Sequence, residues 1–317
     1  MLALTLLYSA CQDEAMKWRK LGRILAPDPA VYWLVSHAGP SFARPANQGD
    51  VINIYVTGRD ANNRSLIGLV RFDLARNSIV DVAAEPLLSL GERGTFDENG
   101  VGYPCLVSHD SQLFMYYTGW IPTVLVPFNN DLGLAIAADG QPFKRYSRAP
   151  LLARTNADAL SIGSVFVLPG AIWKMWYTCF QRWGVDATDH KHYYVIKYAE
   201  SRDGLAWDRH DHIAINLADG AEYAIGRPSV AVINGTFYMW YSCRGSAYRI
   251  GFAESADGLH WDRRDGDVGI APSGSDWDSE MICYAHVFEH NGDYYMIYNG
   301  NGYGRTGLGL AILTAGL

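Results

Sequence analysis

Short segments in which apolar and polar positions alternate recur along the chain, and they are rich in aromatic and β-branched residues, as is typical of β-strands. The most similar segments start about 60 residues apart, which indicates an internal repeat. They read INIYVTG at 52–58, LFMYYTG at 113–119, WKMWYTC at 173–179, FYMWYSC at 237–243 and YYMIYNG at 294–300. No helical periodicity of useful length competes, so the pattern predicts an all-β protein.

Each of these central strands has the same kind of neighbours. An apolar strand and a turn precede it, a third strand follows it, and Asp-Gly turns at 139–140, 203–204 and 257–258 lead into a fourth strand. Four antiparallel strands repeated five times predict a five-bladed β-propeller. The S-x-D-G-x-x-W segment repeated at these turns is predicted to be architectural.

The fifth repeat stops after its third strand. Residues 17–25, KWRKLGRIL, resemble the beginnings of the fourth strands, AWDR and HWDR. We therefore expect residues 17–25 to supply the outer strand of the last blade and to close the ring. This gives a single propeller domain over residues 16–317, after an N-terminal extension or leader-like segment at 1–15.

The N-terminal segment contains a short apolar stretch and Cys11, but it lacks the basic region that begins a signal peptide. It is either an extension before a start at Met16 or a lipoprotein signal cleaved at Cys11. The other four cysteines fall in predicted strands with no CxxC spacing, and we expect buried free thiols, which suit a reducing compartment. A cytoplasmic protein is therefore expected, with an exported lipoprotein as the alternative.

Composition narrows the possible partners. With 49% hydrophobic and 19% charged residues, the chain can bury a sizeable core. Its net charge of −7 argues against a nucleic-acid partner, because phosphate contacts need a basic surface. No apolar run is long enough to span a membrane. The expected partner is a small molecule or an oligosaccharide.

Functional residues are expected where the repeats differ. In a propeller, the segments before the first strands and the loops between second and third strands share one rim, here called the top face. Acids precede the first strands there: Asp97, Glu98, Asp158, Glu222, Asp278 and Glu280. Arginines and aromatic residues fall in the same segments: Arg59, Arg182, Arg227, Arg244, Tyr103, Trp120, Trp183, Tyr284 and Tyr303. Paired carboxylates can cleave glycosidic bonds, and guanidinium groups bind carboxylates or phosphates.

The motifs YYTGW, AESADGLHW and RPSV, within the five-blade pattern, resemble the propeller glycoside hydrolases of families 43, 32 and 130. Nearly the whole chain after Met16, including GTFDENGVGYPC, WDSEMICY and YNGNGYG, resembles uncharacterised glycosidase-like propeller proteins that are linked with surface-polysaccharide biosynthesis. This resemblance implies a propeller fold and a carbohydrate-active protein.

The chain departs from the family 43 pattern at one position. The resemblance implies a base Asp immediately before the first-strand Pro of the first blade, but here Gly39 precedes Pro40, and His37 is the nearest polar group. The equivalent positions of the later blades also carry no acid: Tyr103, Gly163, Arg227 and Tyr284.

Two hypotheses from different classes follow. In the first, a glycoside hydrolase uses Asp97 or Glu98 together with Glu280, with Glu222 as a third candidate and His37 as a proton shuttle. The separation of the two carboxylates would then be about 5 Å for retention or about 6.5–9.5 Å for inversion. In the second, a non-catalytic propeller binds a glycan or a nucleotide sugar.

Both hypotheses share a set of binding residues, in which Arg227 and Arg244 hold an anionic group. The ligand is accordingly expected to be an acidic or phosphorylated glycan or an activated sugar. The expected binding residues are Arg59, Tyr103, Trp120, Arg182, Arg227, Arg244, Asp278, Tyr284 and Asn301.

No metal or other cofactor is expected. The alternative is a calcium ion in the central channel beside His286, as the family 43 resemblance implies, against a hydrogen-bonded core histidine. The DHKH tract at 189–192 is interpreted as a polar loop.

Overall fold

The computed structural model describes residues 15–46, 49–138, 140–185, 189 and 191–316. Cys11 and Asp139, and with them the predicted lipoprotein site and part of one predicted turn, lie outside the described residues. The regular secondary structure of the described chain is β-strand, apart from one 3-10 turn at Asp265–Asp267 and one short helix at Asn301–Gly304. The expected all-β class is therefore confirmed.

The strands follow one another in chain order. They are β1 (Lys17–Leu25), β2 (Ala38–Pro45), β3 (Val51–Arg59), β4 (Ser65–Asp73), β5 (Ser78–Val82), β6 (Gly100–His109), β7 (Gln112–Pro122), β8 (Phe128–Ala138), β9 (Lys144–Arg145), β10 (Ile162–Leu168), β11 (Trp173–Trp183), β12 (His192–Ser201), β13 (Trp207–Ile215), β14 (Ala224–Ile233), β15 (Thr236–Arg244), β16 (Tyr248–Ser255), β17 (Asp262–Arg263), β18 (Cys283–His290), β19 (Asp293–Asn299) and β20 (Leu308–Ala315). The short helix Asn301–Gly304 is α1.

Antiparallel pairing groups these strands into four-stranded units. Units 1 to 4 are β2–β5, β6–β9, β10–β13 and β14–β17, and unit 5 is β18–β20 completed by β1. The predicted pairing of residues 17–25 with the last strand is confirmed by β1, which runs antiparallel to β20. First strands contact one another in the order β2, β6, β10, β14, β18, and β18 contacts β2. The first strands therefore form a closed circuit of contacts.

Two Asp-Gly turns form hydrogen bonds with the unit that precedes them. Gly204 has φ +73°, and its carbonyl oxygen accepts hydrogen bonds from the Trp207 indole at 3.0 Å and from the Tyr116 hydroxyl of unit 2 at 2.7 Å. One unit later, the Gly258 carbonyl accepts a bond from the Trp176 indole of unit 3 at 2.9 Å. Each of these two turns thus docks on an aromatic residue of the preceding unit, as expected for an architectural segment.

The four described cysteines are free thiols, as predicted, and Cys105, Cys179 and Cys283 are buried. Burial raises the pKa of the Cys105 thiol to about 11, so it is neutral near pH 7. Among the described residues, no helix is long and apolar enough to cross a membrane.

Candidate functional site

A backbone irregularity in the first strand of each unit shapes the site. In units 2, 4 and 5 the irregularity holds Tyr103, Arg227 and Tyr284 at φ near +55°, a region that is costly for residues other than glycine. These are the positions that the sequence comparison with family 43 singled out.

A hydroxyl from the preceding unit anchors each of these residues. The Tyr103 N–H donates to Thr57 Oγ1 at 3.0 Å, and the Tyr284 N–H donates to Ser242 Oγ at 2.7 Å. The Arg227 N–H lies 3.3 Å from Thr178 Oγ1 and also 3.0 Å from Ser164 Oγ. Hydrogen bonds between units therefore hold the positive-φ residues in place.

These residues line a cavity of about 380 Å³ to which all five units contribute. Its lining includes three arginines, one histidine, eight other aromatic residues bearing indole, phenyl or phenol rings, and many small or hydroxyl-bearing residues, but no described Asp or Glu. Three guanidinium groups and no described carboxylate in the lining make this cavity electropositive.

Arg227 lies deepest among the three arginines, with only 3% of its surface exposed. Its Nη2 atom donates to the Ser41 carbonyl of unit 1 at 2.7 Å and to the Pro104 carbonyl of unit 2 at 3.2 Å. Burial lowers the pKa of Arg227 to about 10, so the side chain remains a cation at neutral pH. Two carbonyl oxygens, rather than a carboxylate, orient this buried charge.

Arg244 is half-buried among tyrosine rings. Its guanidinium carbon lies 5.3 Å from the Tyr223 ring centroid, 5.0 Å from Tyr248 and 5.7 Å from Tyr303. The structure gives this guanidinium no hydrogen-bond or ion-pair partner among the described residues. Cation–π contacts therefore position Arg244 and leave its N–H groups available.

Arg59 supplies the third charge. Its Nη1 atom donates to Asn63 Oδ1 at 2.7 Å, and both residues line the cavity. His37 lies nearby but outside the lining, and its Nδ1 is 2.9 Å from Ser36 Oγ. Burial, with added repulsion from Arg59 and Arg305, lowers the pKa of His37 to about 4, so this imidazole is neutral near pH 7.

An aromatic wall faces these charges from units 2 and 3. Phe128 packs against Phe180 with ring centroids 6.1 Å apart and against His192 at 5.6 Å. The Trp120 indole, which also lines the cavity, donates to Ser65 Oγ at 2.7 Å.

The predicted catalytic acid Asp97 lies outside the cavity lining. It is 1% exposed, and its Oδ2 accepts bonds from the Tyr117 hydroxyl at 2.8 Å and from Arg145 Nε at 2.7 Å. Its Oδ1 accepts a bond from the Thr95 hydroxyl at 2.9 Å. Both carboxylate oxygens are therefore occupied by partners within unit 2.

Asp158 and Asp278 repeat this arrangement in units 3 and 5. Asp158 accepts bonds from the Tyr177 hydroxyl at 3.0 Å and from Arg209 Nη1 of β13 at 3.0 Å. Asp278, predicted to bind substrate, accepts bonds from the Tyr298 hydroxyl at 3.1 Å and from Lys20 of β1 at 2.6 Å. In each case a second-strand tyrosine and a cation from an outer strand hold the carboxylate.

The three predicted catalytic glutamates are spread over separate loops outside the lining. Glu222 forms a two-point ion pair with Arg263 at 2.9 and 3.1 Å. Glu98 Oε2 accepts the Gly94 N–H at 2.6 Å. Glu280 is exposed, and its backbone N–H donates to Asn301 Oδ1 at 2.8 Å.

The predicted binding residues divide into two groups. Six of them line the cavity: Arg59, Tyr103, Trp120, Arg227, Arg244 and Tyr284. Asp278, Arg182 and Asn301 do not. Arg182 is exposed and stacks on Tyr193 at 3.3 Å, whereas Asn301 caps the loop that carries Glu280.

His286 does not provide the setting of a calcium site. Its Nε2 lies 3.1 Å from the Ala43 carbonyl and its Nδ1 lies 3.4 Å from Ser229 Oγ, while Phe42 stacks on the ring at 3.9 Å. Calcium requires several oxygen ligands, and the described part of the chain contains no cluster of three His, Cys, Asp or Glu residues suited to a metal. The residues present do not fit that ion.

Sequence reasoning missed several lining residues: Asn63, Thr118, Tyr194, His192 and Tyr248. Tyr194 and Tyr248 join units 3 and 4 through a hydrogen bond between their hydroxyl groups. Thr118 could have been found from the sequence. The motifs YVTG, YYTG, WYTC and WYSC repeat a Thr or Ser at the same position, and this residue lines the cavity in units 1 to 4.

No family model matches the chain. Over 303 residues it is 43% identical to two Mycobacterium tuberculosis relatives, "Uncharacterized protein MT1551" of strain CDC 1551 / Oshkosh and "Uncharacterized protein Rv1502" of strain ATCC 25618 / H37Rv. The matches cover 94% of this chain and 99% of each relative. This chain belongs to their family.

Solved structures that share this fold include several glycoside hydrolases. One named "Glycoside hydrolase" matches with a TM-score of 0.75 at 17% identity, over 94% of this chain and 92% of its own. A glycosyl hydrolase from Bacteroides ovatus gives 0.73 at 13% identity, over 94% and 93%. A thermostable family-43 glycoside hydrolase gives 0.67 at 16%, over 91% and 92%. At these identities the likeness shows a shared propeller-like fold.

Proposed function

We propose that this protein binds an anionic or activated sugar in the cavity, and that the five units are the blades of one closed propeller. The observation that carries the proposal is the lining itself, with three arginines, a series of aromatic rings and no described carboxylate. The circuit of first-strand contacts and the pairing of β1 with β20 support closure of the ring.

The size and chemistry of the cavity suit a sugar derivative. A volume of about 380 Å³ lies within the range of about 300–1,000 Å³ typical of small-molecule sites. Aromatic rings offer apolar faces, and hydroxyl groups offer hydrogen bonds to a polar ligand. The three guanidinium groups favour a ligand with a carboxylate or phosphate.

Binding without cleavage is the form of this proposal that the geometry supports best. Hydrolysis by two carboxylates requires a pair about 5–9.5 Å apart that faces the bond to be cleaved. Asp97 is instead held by Arg145, and Glu222 by Arg263, outside the lining. An activated sugar as ligand accords with the role in surface-polysaccharide biosynthesis that the sequence resemblance implies.

A glycoside hydrolase is the second candidate, because glycoside hydrolases share the fold at TM-scores of 0.67–0.75. Glu280, exposed on the loop before β18, would then have to reach a ligand that extends beyond the cavity. Turnover lost in Glu280→Gln while the protein stays folded would favour this candidate.

The test combines binding and product detection. Calorimetric titrations use glucose, glucuronate, glucose 1-phosphate and a nucleotide sugar, and chromatography after incubation with the matching glycosides detects any released sugar. We expect saturable binding of a charged sugar, weakened at least tenfold in Arg244→Gln and unchanged in the control Arg182→Gln, with no product. Absence of binding across the panel, or release of sugar by the wild type, contradicts the proposal.

A further inference from the structure

Arg227 is a buried cation that no carboxylate among the described residues pairs with. Its Nη2 is bonded to the Ser41 and Pro104 carbonyl oxygens, whereas its Nε is buried without a hydrogen-bond partner, and no bond to Nη1 is formed by any described residue. A buried donor that has no partner costs free energy, so natural structures seldom leave one. An arginine in this state indicates that a missing ligand supplies the acceptor.

The groups around this guanidinium do not neutralise it. The titratable side chains that face it are Cys105, Tyr103 and Tyr284, and burial raises the pKa of each of them. All three are therefore neutral at physiological pH. His286, the other titratable group nearby, has its pKa lowered to about 3 by burial and by the charge of Arg227, and it is neutral as well.

Thr118 is a second unpaired polar group of the same cavity. Its side chain is buried, with the residue 2% exposed, and its Oγ1 has no hydrogen-bond partner among the described residues. Thr57, Thr178 and Ser242 occupy the matching positions of units 1, 3 and 4, and each accepts the backbone N–H of the next unit's positive-φ residue. Thr118 alone in this set keeps its hydroxyl free.

Two of the five matching first-strand positions carry glycine. Gly39 and Gly163 occupy the positions in units 1 and 3 that carry tyrosine or arginine in the other units, and both line the cavity. A side chain at Gly39 would collide with Asn299, because a Cβ atom there would lie 2.2 Å from Asn299 Oδ1. Gly39 and Gly163 therefore add no side chain to the cavity lining, and Asn299 fills the space beside Gly39.

We infer that Arg227 and Thr118 form an oxyanion subsite deep in the cavity, which binds a carboxylate or phosphate group even when no sugar is attached to it. The inference rests on the proposed sugar-binding function, which it deepens by naming the group that is recognised and the residues that recognise it. Nε and Nη1 of Arg227 donate to the anion, and the Thr118 hydroxyl adds a third donor. Arg244 and Arg59 contact the rest of the ligand.

The probes are inorganic phosphate and acetate, which separate the two sources of oxyanion chemistry. Calorimetry and thermal denaturation of the full chain are carried out with each probe at constant ionic strength, with chloride as the control anion. We expect at least one probe to bind saturably and to raise the melting temperature, and Arg227→Gln to weaken that binding at least tenfold. The probe that binds more tightly identifies the preferred oxyanion.

Thr118→Val keeps the test decisive if Arg227→Gln does not fold. Removing a buried hydroxyl that has no partner leaves the fold intact, so we expect an unchanged or higher melting temperature without ligand, together with about threefold to tenfold weaker probe binding. Equal probe binding in wild type and Thr118→Val, or equal effects of phosphate, acetate and chloride, overturns the subsite.

The two proposals fail in different ways. If the wild type binds a charged sugar but neither probe, the subsite is overturned and the proposed sugar-binding function stands. If a probe binds through Arg227 and no sugar of the panel binds, the subsite stands and the proposed sugar-binding function is overturned.

Discussion

Replacing Asp158 by Asn tests whether the acids before the first strands act in the architecture. Asp158 is 1% exposed and accepts bonds from four donors: Lys197 Nζ at 2.9 Å, Arg209 Nη1 at 3.0 Å, the Tyr177 hydroxyl at 3.0 Å and the Cys179 thiol at 3.1 Å. Burial alone would raise the pKa of Asp158, but the bonds from Lys197, Cys179 and Tyr177 outweigh it and hold this pKa below its usual value. The folded protein therefore favours the charged carboxylate.

The size of the effect follows from what the substitution leaves behind. The Lys197 side chain is only 3% exposed, and Asp158→Asn leaves it with the solvent-exposed Asp211 as its one carboxylate partner among the described residues. Both oxygens of Asp158 accept hydrogen bonds, so the NH₂ group of the asparagine would face a hydrogen-bond donor in either orientation of the amide. Removal of one partner from a buried ion pair costs about 3–5 kcal/mol. With an unfolding entropy of about 2.1 cal/mol/K per residue, that loss lowers the melting temperature of a chain of this length by about 5–8 °C.

Thermal denaturation followed by circular dichroism measures this loss. Asp208→Asn is the matched control, because Asp208 is exposed on the same strand as Arg209 and should change stability by less than about 0.5 kcal/mol. The low pKa of Asp158 adds a second signature: its stabilising contribution is present above pH 4 and is lost as the pH falls through its folded-state pKa. A melting temperature of Asp158→Asn within 1 °C of wild type would refute the architectural role.

Three further outcomes are expected from thermal denaturation. Lys20→Met should lower the free energy of unfolding by about 2–4 kcal/mol, because it leaves the buried Asp278 without its ion-pair partner on β1. An unchanged free energy of unfolding would contradict a stabilising role of this ion pair. Gly204→Ala should cost more than about 2 kcal/mol, since a Cβ there would meet neighbouring atoms at 2.7 Å, whereas Gly220→Ala, with open space around it, should cost only about 1 kcal/mol. Stability should fall as the pH is lowered from about 6.5 to about 4, because His37 binds a proton more weakly in the folded protein than in the unfolded chain. His37→Gln should reduce that loss of stability, and an equal loss in both proteins would contradict this role of His37.

The repeated units could be predicted from sequence because the same strand pattern recurs five times along the chain. The spacing of the central strands gave the four-stranded units, and the likeness of residues 17–25 to fourth strands gave the pairing of β1 with β20. Arg227 and Tyr103 could be placed in the cavity because a position at the start of a first strand recurs in every unit.

The surroundings of the acids could not be predicted in the same way. Asp97 precedes β6, but the cation that pairs with it, Arg145, follows 48 residues later on an outer strand. Sequence position places a residue near a rim and does not say which way its side chain points. The available signal was a tyrosine that stands one residue before the Thr or Asn of the central strand. Tyr117 and Tyr298 occupy this position, and each donates a hydrogen bond to an acid that precedes a first strand.

A crystal structure with a charged sugar soaked to saturation tests the central claim most directly. With glucuronate or glucose 1-phosphate, the account predicts ligand density in the cavity, with the anionic group beside Arg227 and the sugar ring towards Arg244 and the aromatic wall. Ligand density on the outer loops beside Glu98, Glu222 or Glu280, with the cavity empty, would contradict it.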